Sequence, residues 1–127
     1  MHNYKDLVVW QKSIELVSDI YRIISDFPGN ERYGLTSQMR RSAVSISSNI
    51  AEGSGRKSNK EFANFLSISL GSQYELETQL IISQNLSLLS ENSVSAVFER
   101  LSEIQKITYK LIEKYSNDAS PYLTSKI

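Results

Sequence analysis

Residues that interrupt helices are scarce in this chain, and this scarcity constrains the fold more than any other feature. The 127 residues include only two prolines and five glycines. The main breaks fall at residues 27–34, which contain Pro28, and at residues 53–55, with a weaker polar break at 90–93. The segments between the breaks are about 18 to 27 residues long, a length typical of helices in a bundle.

Apolar residues recur in steps of three and four in the first and last segments, which is the spacing of one helix face. Asp6 is a suitable N-cap for the first helix, and Ser58 with Glu61 matches a capping box for the third. Gly53 is the predicted C-cap of the second helix. The two regular stripes comprise Leu7, Trp10, Ile14, Val17, Tyr21 and Ile24 in the first segment, and Val94, Val97, Leu101, Ile104, Thr108, Leu111 and Tyr115 in the fourth.

These signals predict an all-α protein with helices near residues 7–26, 35–52, 59–85 and 92–116. Because the connecting loops are short, consecutive helices are expected to be antiparallel. We therefore predict an up-down-up-down four-helix bundle over residues 1–116 and a flexible C-terminal tail over residues 117–127.

The composition argues against an enzyme. The chain has no cysteine and a single histidine, His2, so it lacks the residues for a thiolate metal site, a disulfide framework or a histidine-based triad. We predict no catalytic activity, cofactor, metal or small-molecule substrate. The sequence shows neither a signal peptide nor an apolar run long enough for a membrane span, so we expect a cytoplasmic protein.

A formal net charge of zero conceals a strong pattern, since residues 32–60 sum to +5 and residues 61–105 to −5. Such blocks favour either an RNA-facing patch or charge pairing between proteins. One alternative is internal pairing of Arg40 or Arg41 with Glu75 or Glu77, and another is an ordinary helix-helix turn with solvated charges. The candidate nucleic-acid-binding residues are Arg56, Lys57, Lys60, Arg40, Arg41 and Arg32.

Polar residues near the predicted connection between the second and third helices suggest two further hypotheses. The stretch from Gly53 to Ser58 does not match a phosphate-binding P-loop, but the start of the third helix is a candidate anion site. Asn49 and Glu52 lie one turn apart near the end of the second helix, where they form either a functional site or bonds that fix the loop and the helix ends. The predicted structural polar cluster comprises Asn49, Glu52, Glu75 and Glu77.

The first helix carries a second apolar stripe, about 120° around the helix from the first at 100° per residue. If only the first stripe faced the core, the second would be exposed and would mark an interface between copies of the chain. The alternative is that two neighbouring helices of the same bundle bury it. The predicted oligomer-interface residues are Val9, Leu16, Ile20 and Ile23.

Two runs in the middle of the chain resemble a known bacterial family. They are residues 40–53, which include the Asn-Ile-Ala-Glu-Gly element, and residues 75–80, Glu-Leu-Glu-Thr-Gln-Leu. Residues 4–10 and 33–38 match as well, so the resemblance covers about residues 4–115. The family is that of the four helix bundle proteins encoded within intervening sequences of large-subunit ribosomal RNA genes, also labelled ribosomal proteins. It is similar to the accessory variability protein of diversity-generating retroelements.

This resemblance implies a helical bundle without enzymatic activity. The retroelement relative implies a homopentamer that binds RNA and a reverse transcriptase, and the ring size of five comes from that relative alone. We therefore expect a homo-oligomeric scaffold that binds RNA or a nucleoprotein through the basic patch. The alternative is a protein-protein adaptor with no nucleic-acid binding.

Overall fold

Four long helices dominate the computed structural model, which describes residues 2–31 and 34–117. They are α1, Val8–Ile24; α2, Leu35–Ser54; α3, Asn59–Asn85; and α4, Glu91–Ser116. Short 3-10 turns at Tyr4–Asp6 and Gly29–Glu31 precede α1 and α2. All four predicted helices are confirmed, and each boundary lies within two residues of its predicted position.

The helices pack as an antiparallel bundle in which each has two main neighbours. α1 packs against α2 and α4, and α3 packs against the same two helices from the opposite side. This arrangement confirms the predicted up-down-up-down topology. None of the helices in the described ranges is long and apolar enough to cross a membrane.

The contact between α2 and α3 is close because the facing side chains are small and polar. Ser42 Oγ donates to Gln79 Oε1 over 2.6 Å, and Ser69 Oγ donates to the carbonyl oxygen of Ile46 over 2.9 Å. A Cβ atom on Gly53 would lie only 2.5 Å from Cβ of Phe65. The two helices therefore approach too closely at this point for any residue but glycine.

Gly53 is consequently not the C-cap that the sequence predicts. α2 continues through it to Ser54 and ends at Gly55, whose N–H donates to the carbonyl oxygens of Glu52 and Gly53. At the same end of the bundle, Asp6 belongs to the 3-10 turn rather than to an N-cap, and α1 begins after Leu7 without a side-chain cap. The Ser58 cap of α3 is confirmed, since its hydroxyl accepts from the N–H of Glu61 over 3.2 Å.

The buried face of α1 corrects the predicted oligomer interface. Val9, Leu16 and Ile20 are at most 1% exposed and belong to the core of this single chain, and Ile23 is half-buried against that core. The stripe assigned to the core is instead partly open, with Ile14 40% and Tyr21 45% exposed. Both stripes are apolar, and the one that points between α2 and α4 is the one that becomes buried.

The predicted tail lies outside the described residues except for Asn117, which follows α4 directly.

Candidate nucleic-acid interface

Three of the predicted basic residues lie together at the connection between α2 and α3. Arg56 and Lys57 belong to the short loop after Ser54, and Lys60 lies in the first turn of α3. Lys57 and Lys60 are exposed, whereas Arg56 is half-buried. We call Arg56, Lys57 and Lys60 the basic turn.

Arg56 is held in a fixed orientation by two contacts. Its guanidinium lies over the ring of Phe65 with Cζ 4.4 Å from the ring centroid, and its Nη2 donates to Glu52 Oε1 over 2.9 Å. Phe65 can occupy this position because Gly53 leaves room for it on α2. The side chain of Arg56 nevertheless remains 40% exposed.

The other predicted basic residues do not join the basic turn. Arg40 and Arg41 lie on α2 about 20 Å from its C-terminal end, at 1.5 Å per residue. Both are exposed, and Arg40 lies over the ring of Tyr21 at 5.6 Å. Within the described residues neither forms a salt bridge, so the alternative of internal pairing with Glu75 or Glu77 does not hold. Arg32 lies outside the described residues.

The start of α3 already holds a carboxylate. Ser58 Oγ accepts from the N–H of Glu61 and donates to Glu61 Oε2 over 3.3 Å. An acidic group in the first turn interacts favourably with the helix dipole and repels a second anion. This geometry weakens the helix terminus as an anion site and leaves the cationic side chains of the basic turn as the candidate.

The predicted polar cluster is also corrected, because its four members have different partners. Asn49 Nδ2 donates to the carbonyl oxygen of Ser45 over 2.8 Å, while Glu52 pairs with Arg56. Glu77 accepts from Gln105 of α4 over 3.2 Å, and Glu75 is exposed. These contacts fix separate parts of the bundle and do not form one site.

The N-terminal segment contacts the end of α2, the start of α3 and the end of α4. The N–H of His2 donates to the carbonyl oxygen of Ser54 over 2.9 Å, and His2 Nε2 lies 3.0 Å from Asn59 Oδ1. The imidazole packs against the rings of Phe62 and Tyr115 at centroid distances of 5.0 and 5.2 Å, and these two rings contact each other at 5.4 Å. The start of the chain, the basic turn and the end of α4 are therefore neighbours.

The end of α4 adds three lysines that the sequence analysis missed. Lys106, Lys110 and Lys114 are exposed and recur every four residues, a spacing that places them along one side of the helix. This spacing is visible in the sequence, but which helix ends meet is not.

The described charges therefore separate along the bundle axis. The half formed by residues 2–16, 45–72 and 104–117, which we call the basic end, has eight basic and five acidic side chains. The opposite half, which we call the acidic end, has four basic and eight acidic side chains. The basic residues of the basic end are Lys5, Lys12, Arg56, Lys57, Lys60, Lys106, Lys110 and Lys114.

The two ends also differ in how their cations are paired. Of the four cations described at the acidic end, Arg22 pairs with Asp19, Arg100 contacts Asp19 and also Glu15 of the basic end, and Arg40 and Arg41 form no salt bridge. Of the eight cations at the basic end, the described salt bridges involve only Lys12, with Glu103, and Arg56, with Glu52. In the described ranges, no group of three or more histidine, cysteine or acidic residues is placed to hold a metal ion.

The fold and this site define a small helical-bundle protein with a cationic surface at one end. The family model of the 23S rRNA-intervening sequence protein matches residues 5–110, and the chain belongs to this family. The family resemblance given by residues 40–53 and 75–80 is thereby confirmed. No curated protein matches the chain.

A solved crystal structure supports the same assignment. It is a protein of unknown function from the S23 ribosomal protein family of Bacteroides thetaiotaomicron, and it superposes with a TM-score of 0.74 at 26% sequence identity. The match covers 83% of this chain and 98% of that chain.

Proposed function

We propose that this protein is a non-enzymatic scaffold that binds RNA through its basic end and associates with further copies of itself. The observation that carries the RNA-binding proposal is the separation of charge along the bundle. Six exposed lysines without a described acidic partner gather at one end. At the other end only Arg40 and Arg41 lack such a partner, whereas Arg22 and Arg100 are paired with carboxylates.

Phosphate groups are suitable partners for such a surface. Unpaired lysines and arginines that contact phosphates release condensed counterions, and this release drives binding to any nucleic acid. The description of the family as 23S rRNA-intervening sequence protein favours RNA among the possible polyanions.

The test is a titration of structured RNA with the purified protein at low and at physiological salt. We expect binding at low salt that weakens as salt rises, because each phosphate contact contributes about 0.7 to 0.9 to the slope of log affinity against log salt. The double variant Lys57→Ala with Lys60→Ala should bind about tenfold more weakly and show a shallower slope.

The matched control removes one positive charge elsewhere. Because Arg40 belongs to the first apolar strip described below, the cleaner comparison is Arg41→Ala against Lys57→Ala, each of which removes one positive charge. Arg41 lies about 20 Å along α2 from the basic turn, and Arg41→Ala should keep most of the affinity. Equal losses in the two variants would contradict the assignment to the basic end. If the unmodified protein does not bind RNA at low salt, the RNA-binding proposal is wrong, and the alternative of a protein-protein adaptor is favoured.

Self-association is supported by two apolar strips that one chain leaves open. The first strip consists of Ile14 and Tyr21 on α1 with Val44 on α2, all 40% to 45% exposed. The second strip consists of Ile68 and Ile82 on α3 and of Leu86, the C-cap of that helix, and these residues are 42% to 58% exposed.

The two strips differ from each other and carry opposite charges. Arg40 lies over Tyr21 in the first strip, and the spacing of α3 places Glu75 between Ile68 and Ile82 in the second. We propose that the first strip of one copy packs against the second strip of the next. A head-to-tail contact of this kind closes into a ring when its rotation permits, and the family resemblance implies a ring of five.

Light scattering on adjacent variants tests this contact. Ile82→Glu places a charge in the second strip and should reduce the mass to one chain. Ile81→Glu is the control, because Ile81 is similarly exposed at 47% but lies 100° around the helix. A single-chain mass for the unmodified protein would contradict the proposal, and so would equal effects of the two substitutions.

A further inference from the structure

The contacts of Arg56 differ from those of the two lysines of the basic turn, and they indicate a different role in binding RNA. Lys57 and Lys60 are exposed and unconstrained by any described ion pair, as expected for contacts with a sugar-phosphate backbone. Arg56 differs from them, because its Cζ lies over the Phe65 ring, 4.4 Å from the centroid, and its Nη2 donates to Glu52 Oε1 over 2.9 Å.

We infer that Arg56 is a stacking shelf for one unpaired nucleobase of a single-stranded RNA segment. A planar guanidinium with one face on an aromatic ring leaves the opposite face for a second planar group. The side chain of Arg56 is 40% exposed, which leaves room for a second group to approach it from solvent. Bases of single-stranded RNA stack on both aromatic side chains and guanidinium planes, whereas paired bases are unavailable for such contacts.

The shelf is preorganised by the protein. Glu52 lies one turn before Arg56 and fixes the orientation of the guanidinium, and Gly53 allows Phe65 to lie against α2 beneath it. Little side-chain entropy remains to be lost when a base stacks on a group that is already ordered. Lys57 and Lys60 lie within four residues and are placed to contact the flanking phosphates.

This inference rests on the proposed RNA binding, and three probes separate the two. They are a short single-stranded RNA without self-complementarity, the duplex of the same sequence, and an abasic ribose-phosphate oligomer of the same length. If charge alone acts, the single strand and the abasic oligomer bind equally and the denser charge of the duplex gives it the advantage. With a stacking shelf, the single strand should bind about tenfold more tightly than the abasic oligomer.

Two substitutions test whether Arg56 and its platform account for the difference. Arg56→Lys retains the charge but removes the planar face, and Phe65→Leu retains apolar packing but removes the ring. In each variant the advantage of the single strand over the abasic oligomer should disappear, while affinity for the abasic oligomer changes less than about twofold. Thermal unfolding of each variant shows whether the bundle is intact.

The outcomes distinguish base stacking on Arg56 from RNA binding by the basic end as a whole. Suppose that all three probes bind in a salt-dependent way and the single strand binds no more tightly than the abasic oligomer. This result would contradict base stacking on Arg56 but would still support RNA binding. A folded Arg56→Lys variant that keeps the full advantage, or that loses affinity equally for the single strand and the abasic oligomer, would also contradict base stacking. Binding of none of the probes would overturn both proposals.

Discussion

The two ends of the bundle are built from the same four helices but treat charge differently. At the acidic end, Arg100 contacts Asp19 and, farther along α1, Glu15 of the basic end, so its charge is neutralised within the protein. At the basic end, Lys57, Lys60 and Lys114 are exposed and have no acidic partner among the described side chains.

This difference shows why the total charge is a poor guide to what the protein binds. The sum over the chain is zero, yet the potential near each end depends on the local excess and on whether each cation is already neutralised. A polyanion that approaches the basic end meets unpaired lysines and one stacked arginine. The acidic end offers such a partner mainly carboxylates.

The largest expected effect is a loss of stability on substitution of core residues of α1, because the core holds the two ends of the bundle together. The double substitution Leu16→Glu with Ile20→Glu places two charges at fully buried positions of α1. Burying an unpaired charge costs several kcal/mol, and the total stability of a domain is only about 5–15 kcal/mol. We expect loss of cooperative thermal unfolding as measured by circular dichroism.

The matching control is Ile14→Glu with Tyr21→Glu on the open stripe of the same helix. Because these residues are 40% and 45% exposed, the variant should keep its helical content and lose only self-association. If the variant Leu16→Glu with Ile20→Glu still folds, these residues are not buried in the core. That result would support the oligomer interface predicted from the sequence.

A smaller effect distinguishes the basic end from the rest of the bundle. Gly53→Ala places a Cβ 2.5 Å from Cβ of Phe65, so α2 and α3 must move apart and the platform beneath Arg56 shifts. We expect a loss of about 1–3 kcal/mol in the free energy of unfolding, the usual cost of overpacking.

Gly71 is the matched control for that substitution. A Cβ at Gly71 meets nothing within 4 Å, so Gly71→Ala should stabilise α3 by about 0.5–1 kcal/mol through helix propensity. Urea denaturation measures both changes. The same sign for the two variants would show that the approach at Gly53 is not tight.

The smallest effect concerns the ion pair that joins the two ends. The Lys12 ammonium donates a hydrogen bond to Glu103, and its charge adds to this effect, so the pKa of Glu103 lies below its ordinary value of 4.5. The stabilisation is complete above the unfolded-state pKa and is lost as the pH falls through the lower folded-state pKa. It is small because the pair is exposed to solvent.

A carboxylate titration by NMR checks this assignment. Lys12→Met should move the titration midpoint of Glu103 upward toward 4.5, whereas Lys110→Met should leave it nearly unchanged. An unshifted midpoint in the Lys12 variant would show that the pair does not persist in solution.

The helices were predictable because their signals are local. Pro28 prevents α1 from extending, Ser58 caps α3, and steps of three and four recur within each apolar stripe. The face of α1 was not predictable, since both of its stripes are apolar and only the positions of α2 and α4 decide which one is buried.

The site was predictable only in part, for a similar reason. Arg56, Lys57 and Lys60 are neighbours in the sequence, so their grouping could be predicted. Their relation to Lys114 depends on the mutual contacts of His2, Phe62 and Tyr115, which bring together residues far apart in the chain. The role of Gly53 likewise depends on Phe65 of another helix.

The most direct test of the central claim is an NMR titration of the isotope-labelled protein with RNA, which follows every backbone amide at once. We predict shifts concentrated at the basic end, in residues 2–6, 53–61 and 106–117, that diminish as salt is added. Amides near Asp19, Arg22 and Arg100 at the acidic end should remain unchanged. Shifts centred on the acidic end, or no shifts at low salt, would contradict the claim that the basic end binds RNA.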